Sequence, residues 1–204
     1  RPAVLGAAQE QAAVRAEVVL HLQGNLEVAE GLVGDEDAAV AGDVLAADDG
    51  AIVAGAADEI VERGRDRRSW LIFCCGTGHA SHVCDGLRER GVSAEMIAGT
   101  TPDAERARII AAFRRGDIRA LTNVNVLTTG FDAPRVDLLA MLRPTLSTGL
   151  YVQMVGRGTR KANGKVNCLI LDFAGNCRRH GPVDQVDIKV GGSNGAAVEP
   201  ATVR

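Results

Sequence analysis

The chain has 204 residues, a length that can bury a hydrophobic core without disulfides or metals and allows one domain or one domain with an appendage. Its longest apolar runs fall short of the roughly 18 residues of a membrane span, and its start lacks the continuous apolar core of a signal peptide. We therefore expect a cytoplasmic protein that does not enter membranes.

The net charge of −3 is divided unevenly along the chain. Residues 1–60 contain twelve acidic residues and two arginines, a net charge of −10, whereas residues 61–204 carry a net charge of +7. This change predicts an acidic, partly helical N-terminal segment over 1–66 and a main domain over 67–189. A Gly- and Ala-rich flexible tail is expected over 190–204. The basic excess of the main domain is compatible with contact to a polyanion.

Within the N-terminal segment, apolar residues recur at three- and four-residue intervals over 7–20 and 51–63, which predicts helices there. Residues 34–50 are acidic and interrupted by glycines, a pattern typical of a loop.

From Ser69 onward, short apolar strands alternate with helices. The expected strands are WLIFCC, VSAEMIAG, DIRALTNV, RVDLLAML and KVNCLILDF, and the expected helices are HASHVCDGLRERG, TPDAERARIIAAFRRG and TGLYVQMVGRGTR. In the second helix, Thr101 is expected to cap the N-terminus, Pro102 to occupy the first position and Gly116 to end it. The alternation predicts an α/β fold, a parallel sheet with helices on both faces, in which ligands bind at the carboxyl ends of the strands.

The five cysteines, at positions 74, 75, 84, 168 and 177, form no C-x-x-C pair or zinc-ligand spacing. We interpret them as reduced thiols packed as small hydrophobic groups and assign no metal.

Four residues near the end of the last predicted helix, Gln153, Gly156, Arg157 and Arg160, follow helical spacing and are expected to share one face. A guanidinium offers forked donors that match phosphate oxygens. The chain nevertheless lacks the Gly-x-x-x-x-Gly-Lys-Ser/Thr cradle: GTGHAS (76–81) has no lysine, and GTRKANGKV (158–166) has Val166 where the hydroxyl belongs. The arginines are therefore expected to serve a nucleotide held mainly by another domain.

Five ordered blocks carry a family resemblance. They are LIFC (71–74), TTPDAERARIIAAFRRGDIRALTN (100–123), VLTTGFDAPRVD (126–137), LRPTLSTGLYVQMVGRGTR (142–160) and LDFAGN (171–176). In this order they resemble the second RecA-like domain of superfamily 2, DEAD/DEAH-box helicases, and within them the RadD-like branch. The first RecA-like domain, which carries the Walker motifs, is not among the blocks, and we expect a fragment or truncated product.

The resemblance implies roles for individual residues. QMVGRGTR is similar to helicase motif VI, in which Arg160 would be the arginine finger and Arg157 a second phosphate contact. TTGFDAP is similar to motif V, in which Asp132 would contact the ribose or orient the finger and Gly130 would let the backbone approach the nucleotide. Gln153 is assigned to the nucleotide as well.

The segment GTTPDAER is similar to the part of these helicases that grips a nucleic-acid backbone. The resemblance implies contacts from Gly99, Thr100 and Arg106, with Asn125 near the same strand at a position where relatives commonly carry an acid. Such contacts position a strand without reading its sequence. Two alternatives stay open: an ion pair of Arg106 with Asp103 on an exposed helix, and a role of Asp132 as a turn residue alone.

By this resemblance, the chain is the C-terminal motor domain of an ATP-dependent helicase and is inactive alone. The expected cofactors are ATP and Mg²⁺, held mainly by the first RecA-like domain, and the expected partners are that domain in cis and nucleic acid, DNA rather than RNA. A role in DNA repair rests only on the family. The alternative is a non-catalytic module that binds nucleic acid or a partner; a Rossmann-like enzyme is disfavoured because no Gly-x-Gly-x-x-Gly follows the first strand.

Overall fold

The computed structural model describes residues 16–21, 26–29, 50–124, 126 and 131–182. Within these ranges the strands are β1 (Ala16–His21), β2 (Leu26–Ala29), β3 (Trp70–Phe73), β4 (Ala94–Ile97), β5 (Ala120–Asn123), β6 (Leu138–Met141) and β7 (Asn167–Asp172). The helices are α1 (Gly50–Arg63), α2 (Thr77–Glu89), α3 (Asp103–Arg115), α4 (Thr148–Val155) and α5 (Asn176–His180).

The strands form one sheet in the order β2-β1-β7-β6-β3-β5-β4. Strands β3 to β7 pair with one another in parallel, with Trp70 opposite both Leu138 of β6 and Ala120 of β5. This confirms the predicted parallel sheet of five strands. Each of the predicted strands contains one of these five, because short runs of apolar residues are buried on both faces of a parallel sheet.

Helices cover both faces of the sheet, as predicted. The alternate residues of β3 show the division: Leu71 and Phe73 belong to the core under α3 and α4, whereas Trp70 and Ile72 belong to the core under α1 and α2. Successive residues of a strand point to opposite faces, so one four-residue strand contributes to both cores.

The N-terminal part of the chain differs from the prediction in one respect. Residues 16–20, within the predicted helix over 7–20, instead belong to β1, which pairs antiparallel with β7 and with β2. The sequence AEVVLH contains two β-branched valines, which favour a strand, and pairing with the edge of the existing sheet outweighs a weak helical pattern.

The second predicted N-terminal helix, over 51–63, is confirmed as α1. Its residues Ala57 and Ile60 are fully buried against the sheet, and burying a side chain such as that of isoleucine contributes about 1.5–3 kcal/mol. The division of the chain at residues 66 and 67 stays a prediction. The expected loop over 34–49 and the tail over 190–204 lie outside the described residues.

Both ends of α3 were predicted from turn chemistry. Gly116 ends the helix in the left-handed conformation, with φ of 91°, as expected. The predicted cap at Thr101 is wrong, because Pro102 occupies the N-cap position. The hydroxyl of Thr101 instead accepts a hydrogen bond from the backbone of Ala98 at 2.9 Å, which closes the turn between β4 and the helix.

Candidate nucleotide and nucleic-acid sites

The side chains of Arg160 and Asp132 form an ion pair through the guanidinium Nη1 and the carboxylate Oδ1. Both side chains are partly open to solvent, with exposed fractions of 39% and 65%. An arginine has five N–H donors, so a bond to one carboxylate oxygen leaves further donors for an anion. The structure thus brings two of the residues predicted for nucleotide binding into direct contact.

The helix that was expected to present both arginines ends before it reaches them. Helix α4 stops at Val155, Gly156 is its C-cap, and the backbone N–H groups of Arg157 and Gly158 close tight turns onto Met154 and Val155. Gln153 is therefore on the helix and exposed, whereas Arg160 belongs to the following loop. The prediction that four residues share one helical face is wrong.

Arg157 is buried, with 8% of its surface exposed. Its Nη1 donates a 2.6 Å hydrogen bond to the carbonyl of Phe131, which places the guanidinium beside the Asp132 segment. Burial lowers the pKa of Arg157 below its usual value, and the nearby charge of Arg160 adds to this shift, while Asp132 opposes it. Of the two arginines, Arg160 is therefore partly exposed and Arg157 is buried.

Three cationic side chains hold the backbone around Asp132. Besides Arg157, which binds the carbonyl of Phe131, Arg114 at the end of α3 donates to the carbonyl of Asp132 at 2.8 Å. Lys165, two residues before β7, donates to the carbonyl of Pro134 at 3.3 Å. The segment between β5 and β6 is thus fixed by groups from three separate parts of the chain.

Sequence reasoning identified neither Arg114 nor Lys165 as a site residue. Both act on backbone carbonyl groups, which every residue carries, so the sequence holds no complementary residue type that would reveal the contact. Lys165 also donates to the carbonyls of Gly158 and Arg160, at 2.6 and 2.9 Å.

Three of the four residues predicted to contact nucleic acid, Gly99, Thr100 and Arg106, surround the turn between β4 and α3. Gly99 and Thr100 are exposed at the carboxyl end of β4. Arg106 Nη2 donates to three carbonyls of this turn, those of Ala98, Gly99 and Thr101, at 3.5, 3.4 and 3.0 Å. Its Nη1 also pairs with Asp103 at 3.3 Å, the alternative that the sequence left open. Arg106 therefore has a structural role at the turn, and its contact with nucleic acid stays a prediction.

The structure separates the two predicted sites. The β4–α3 turn lies at the carboxyl ends of the strands, where ligands of α/β proteins commonly bind. Asp132 and Arg160 lie instead toward the amino ends of β6 and β7. The carbonyl of Asp132 is bound by Arg114, which is in the last turn of α3. In the loop that carries Arg160, Gly158 packs on Cys168 and Leu139, each the second residue of its strand. Two further predicted residues, Gly130 and Asn125, lie outside the described residues.

Acidic and thiol groups do not converge anywhere in the described part of the chain: no three His, Cys, Asp or Glu side chains are placed to hold a metal ion there. The cysteines are free thiols, and Cys74, Cys84 and Cys168 are buried. Among the described helices, none has the length and apolar character needed to cross a membrane.

The parallel sheet, covered by helices on both faces, and the paired segments at 131–134 and 156–160 define a RecA-like domain of the helicase type. Residues 54–162 match the model of the Helicase conserved C-terminal domain, and the chain belongs to that family. This family confirms the resemblance to superfamily 2 helicases; the placement in the RadD-like branch stays a prediction.

Individual relatives agree with the family. The chain is 43% identical over 119 residues to a Schizosaccharomyces pombe protein described as a mitochondrial ATP-dependent helicase, irc3, an alignment that covers 58% of this chain and 20% of that protein. It is 32% identical over 117 residues to UvrABC system protein B of Chlamydia trachomatis serovar D, covering 54% of this chain and 18% of that protein. The chain therefore spans about a fifth of the length of these curated relatives.

Solved structures show the same fold. The C-terminal domain of the DEAD-box protein Dbp5 superposes with a TM-score of 0.51 at 26% identity, covering 59% of this chain and 71% of that one. A fragment of an HsdR subunit of a type I restriction enzyme from Vibrio vulnificus YJ016 superposes with a TM-score of 0.61 at 22% identity, covering 74% of this chain and 31% of that one. At that identity the second likeness concerns the fold alone.

Proposed function

We propose that this chain is the C-terminal motor domain of an ATP-dependent nucleic-acid helicase and supplies the arginine finger to a nucleotide held mainly by a Walker-motif-bearing first domain. The observation that carries the proposal is the partly exposed pair of Arg160 and Asp132, in which the backbone around Asp132 is fixed by three cations. A guanidinium held in this way suits charge that develops on a phosphate, because its donors need little reorganisation.

The donors of this chain fit part of the nucleotide. Arg160 provides forked N–H groups at an open position, and the carboxylate of Asp132 provides an acceptor for ribose hydroxyls or for Arg160 itself. Arg157 would have to release the carbonyl of Phe131 before its Nη1 reached a phosphate. The described residues offer no carboxylate cluster for Mg²⁺, so the metal would be held by other parts of the motor.

In the proposed reaction, ATP supplies the phosphoryl group that is transferred to water. The part of this chain is to bring Arg160 to the equatorial oxygens, where negative charge spreads during transfer. Asp132 orients the guanidinium, and the β4–α3 turn contacts the backbone of the nucleic acid at the other end of the sheet. Because the finger and the phosphate cradle are on different domains, hydrolysis would depend on domain closure.

The proposal is tested in the S. pombe helicase, by replacing its aligned 119 residues with the aligned part of this chain. Phosphate release is measured with and without single-stranded DNA. Arg160→Ala should lower kcat by about 10³-fold or more, as expected for loss of an arginine finger, and should spare most ATP binding. Lys161→Ala, a change at the exposed neighbouring cation, serves as the matched control.

Equal hydrolysis by the Arg160→Ala and Lys161→Ala proteins would contradict the proposed role. In that case the non-catalytic nucleic-acid-binding module, the alternative expected from the basic charge of residues 61–204, becomes the better account. The 204-residue chain by itself is expected to release no phosphate from ATP.

A further inference from the structure

Lys165 places all of its hydrogen-bond donors on backbone carbonyls of the candidate nucleotide site. Its Nζ lies 2.6 Å from the carbonyl oxygen of Gly158, 2.9 Å from that of Arg160 and 3.3 Å from that of Pro134. An ammonium group has three donors and no acceptor, so these contacts use its full capacity. A surface lysine would direct its ammonium group to water instead.

These three carbonyls belong to two segments that are distant in sequence. Gly158 and Arg160 are in the loop after α4, and Pro134 follows Asp132 by two residues in the segment between β5 and β6. Lys165 therefore joins the segment that carries Arg160 to the segment that carries Asp132. The ion pair of Arg160 and Asp132 and the hydrogen bond from Arg157 to the carbonyl of Phe131 join the same two segments.

The loop that Lys165 holds also rests on the sheet. A Cβ atom built on Gly158 would lie 2.6 Å from Sγ of Cys168 and 2.8 Å from Cδ1 of Leu139, which shows how closely the Gly158 backbone approaches β7 and β6. The loop is thus fixed both by its packing on β6 and β7 and by its hydrogen bonds to the ammonium group of Lys165.

The environment of the ammonium group is unusual for a lysine. Its side chain is half-buried, and burial lowers the pKa of Lys165 below its usual value, against the smaller opposing effects of Cys168 and Asp137. Removing a cation from water is unfavourable, so this arrangement depends on the three carbonyl oxygens that replace water.

We propose that Lys165 is a positioning residue that holds the carbonyl groups of Arg160 and Pro134 together and thereby keeps the guanidinium of Arg160 aligned with Asp132. The inference rests on the proposed role of Arg160. It extends that role by assigning the alignment of the finger to a residue that lies outside the helicase motifs.

The first experiment uses the 204-residue chain. Nuclear magnetic resonance of the arginine Nε–Hε groups measures the order of the Arg160 side chain in the parent, in Lys165→Met and in Lys161→Met. Methionine keeps the unbranched length of lysine without its donors, and Lys161 is an exposed lysine in the same loop. The order parameter of Arg160 should fall in Lys165→Met and stay at the parent value in Lys161→Met.

The second experiment uses the S. pombe helicase that contains the aligned part of this chain. Misplacement of a catalytic group by about 1 Å costs on the order of 10²-fold in rate, so Lys165→Met should lower kcat by about 10- to 100-fold. KM for ATP should stay unchanged, because an interaction made only in the transition state lowers kcat and kcat/KM equally.

A third variant keeps the test valid if Lys165→Met does not fold. Lys165→Arg retains the charge, but its planar fork cannot direct three donors from one atom onto three carbonyls. It should fold and still show a lower kcat at unchanged KM. Parent-like kcat in Lys165→Arg, or equal kcat in Lys165→Met and Lys161→Met, would overturn the inference.

The result for Arg160→Ala in the same helicase separates this inference from the proposed function. If Arg160→Ala hydrolyses ATP at the parent rate, the arginine finger itself is refuted. If Arg160→Ala is inactive while Lys165→Met matches Lys161→Met, the finger stands and only the positioning role of Lys165 is refuted.

Discussion

The guanidinium of Arg160 binds the carboxylate of Asp132, a residue 28 positions earlier in the chain. The pair is partly exposed, and neither side chain is packed in the core. Its neighbour Arg157, by contrast, is buried against the carbonyl of Phe131. Two arginines three residues apart in the same motif therefore have different physical environments, and we expect different consequences when each is replaced.

Replacing either member of the exposed pair should change stability little. Ion pairs of this exposure contribute about 0.2–1 kcal/mol, because solvent screens the charges and ordering two side chains costs entropy. Arg160→Ala and Asp132→Asn in the 204-residue chain should each lower the free energy of unfolding by no more than this. Urea denaturation followed by circular dichroism measures the change. A loss of several kcal/mol would show that the pair is part of the folding core and not a site held open for a ligand.

Arg157→Met should destabilise the same chain more strongly. The change leaves the buried carbonyl of Phe131 without its charged donor, a loss of about 1–3 kcal/mol. Removal of the charge also relieves repulsion with Arg160, which reduces the loss but does not reverse it. The matched control is Arg160→Met, which removes the exposed guanidinium. The urea concentration at the midpoint of unfolding should therefore be lower for Arg157→Met than for Arg160→Met. The opposite order would contradict the buried contact.

How far the sequence could predict this site depends on what each residue contacts. The sheet was predictable because runs such as WLIF are apolar throughout, and the structure buries all four residues. Asp132 and Arg160 were selected as site residues because their motifs occur in a fixed order; the structure places them in contact, and their roles stay predictions. The end of α4 at Val155 was not, since helical spacing alone does not show that the glycines at 156 and 158 close turns there.

The hydrogen bonds that fix the backbone around Asp132 could not be predicted from the sequence, because their acceptors are backbone carbonyl groups. Arg157, Arg114 and Lys165 all bind carbonyl oxygens from residues 131–134, up to 31 positions away. A carbonyl is the same in every residue, so no pattern of residue types reveals it as a partner. For the same reason, the motif reading assigned Arg157 to a phosphate but could not show that its guanidinium is already bound.

Gly158→Ala should destabilise the chain and displace the loop that carries Arg160. The added methyl group would meet Cys168 and Leu139 at 2.6 and 2.8 Å, and overpacking of this kind costs about 1–3 kcal/mol. Gly55→Ala has the opposite expectation. A Cβ built on Gly55 has no atom within 4 Å apart from its chain neighbours and the backbone of its own helix, and alanine in a helix is favoured over glycine by up to about 1 kcal/mol. Thermal unfolding of both variants measures the difference. Cys168→Ala should partly relieve the effect of Gly158→Ala, and strict additivity would argue against this contact.

Alkaline pH should destabilise the chain through thiols that are buried or partly buried. Burial raises the pKa of Cys84 to about 11 and the pKa values of Cys168 and Cys177 to about 12, above the value of 9.0 for an exposed thiol. From pH 9 up to about pH 11 for Cys84 and about pH 12 for the other two thiols, the unfolded chain loses these protons while the folded chain retains them, so the free energy of unfolding falls as pH rises. Below pH 9 the contribution of the thiols is constant.

The measurement is the free energy of unfolding from pH 8 to pH 11 for the parent and for Cys84→Ala. Each thiol that stays protonated only in the folded state contributes a slope of about 1.4 kcal/mol per pH unit. The variant should start less stable, because alanine fills less of the core, but its stability should fall less steeply above pH 9. Parallel curves for the two proteins would contradict the buried, protonated state of Cys84.

The last prediction concerns the β4–α3 turn and its arginines. The 204-residue chain should bind single-stranded DNA weakly and with a strong dependence on salt, because backbone contacts act through charge. Arg106 and Arg108 lie on the same helix and each pairs with an acid three residues earlier, but only Arg106 also binds the carbonyls of Ala98, Gly99 and Thr101. Arg108 is thus a matched control for charge without the contact to the turn.

Fluorescence anisotropy of labelled single-stranded DNA at several salt concentrations separates the two arginines. If Arg106 contacts one phosphate, Arg106→Ala should make the log–log salt slope shallower by about 0.7, the value for one phosphate of a single strand. Arg106→Lys keeps the charge but not the planar fork that binds the turn, so it should retain the slope and bind more weakly. Arg108→Ala should change neither quantity. Equal effects of Arg106→Ala and Arg108→Ala would mean that the helix attracts DNA only through its overall charge, and that Arg106 serves the turn alone.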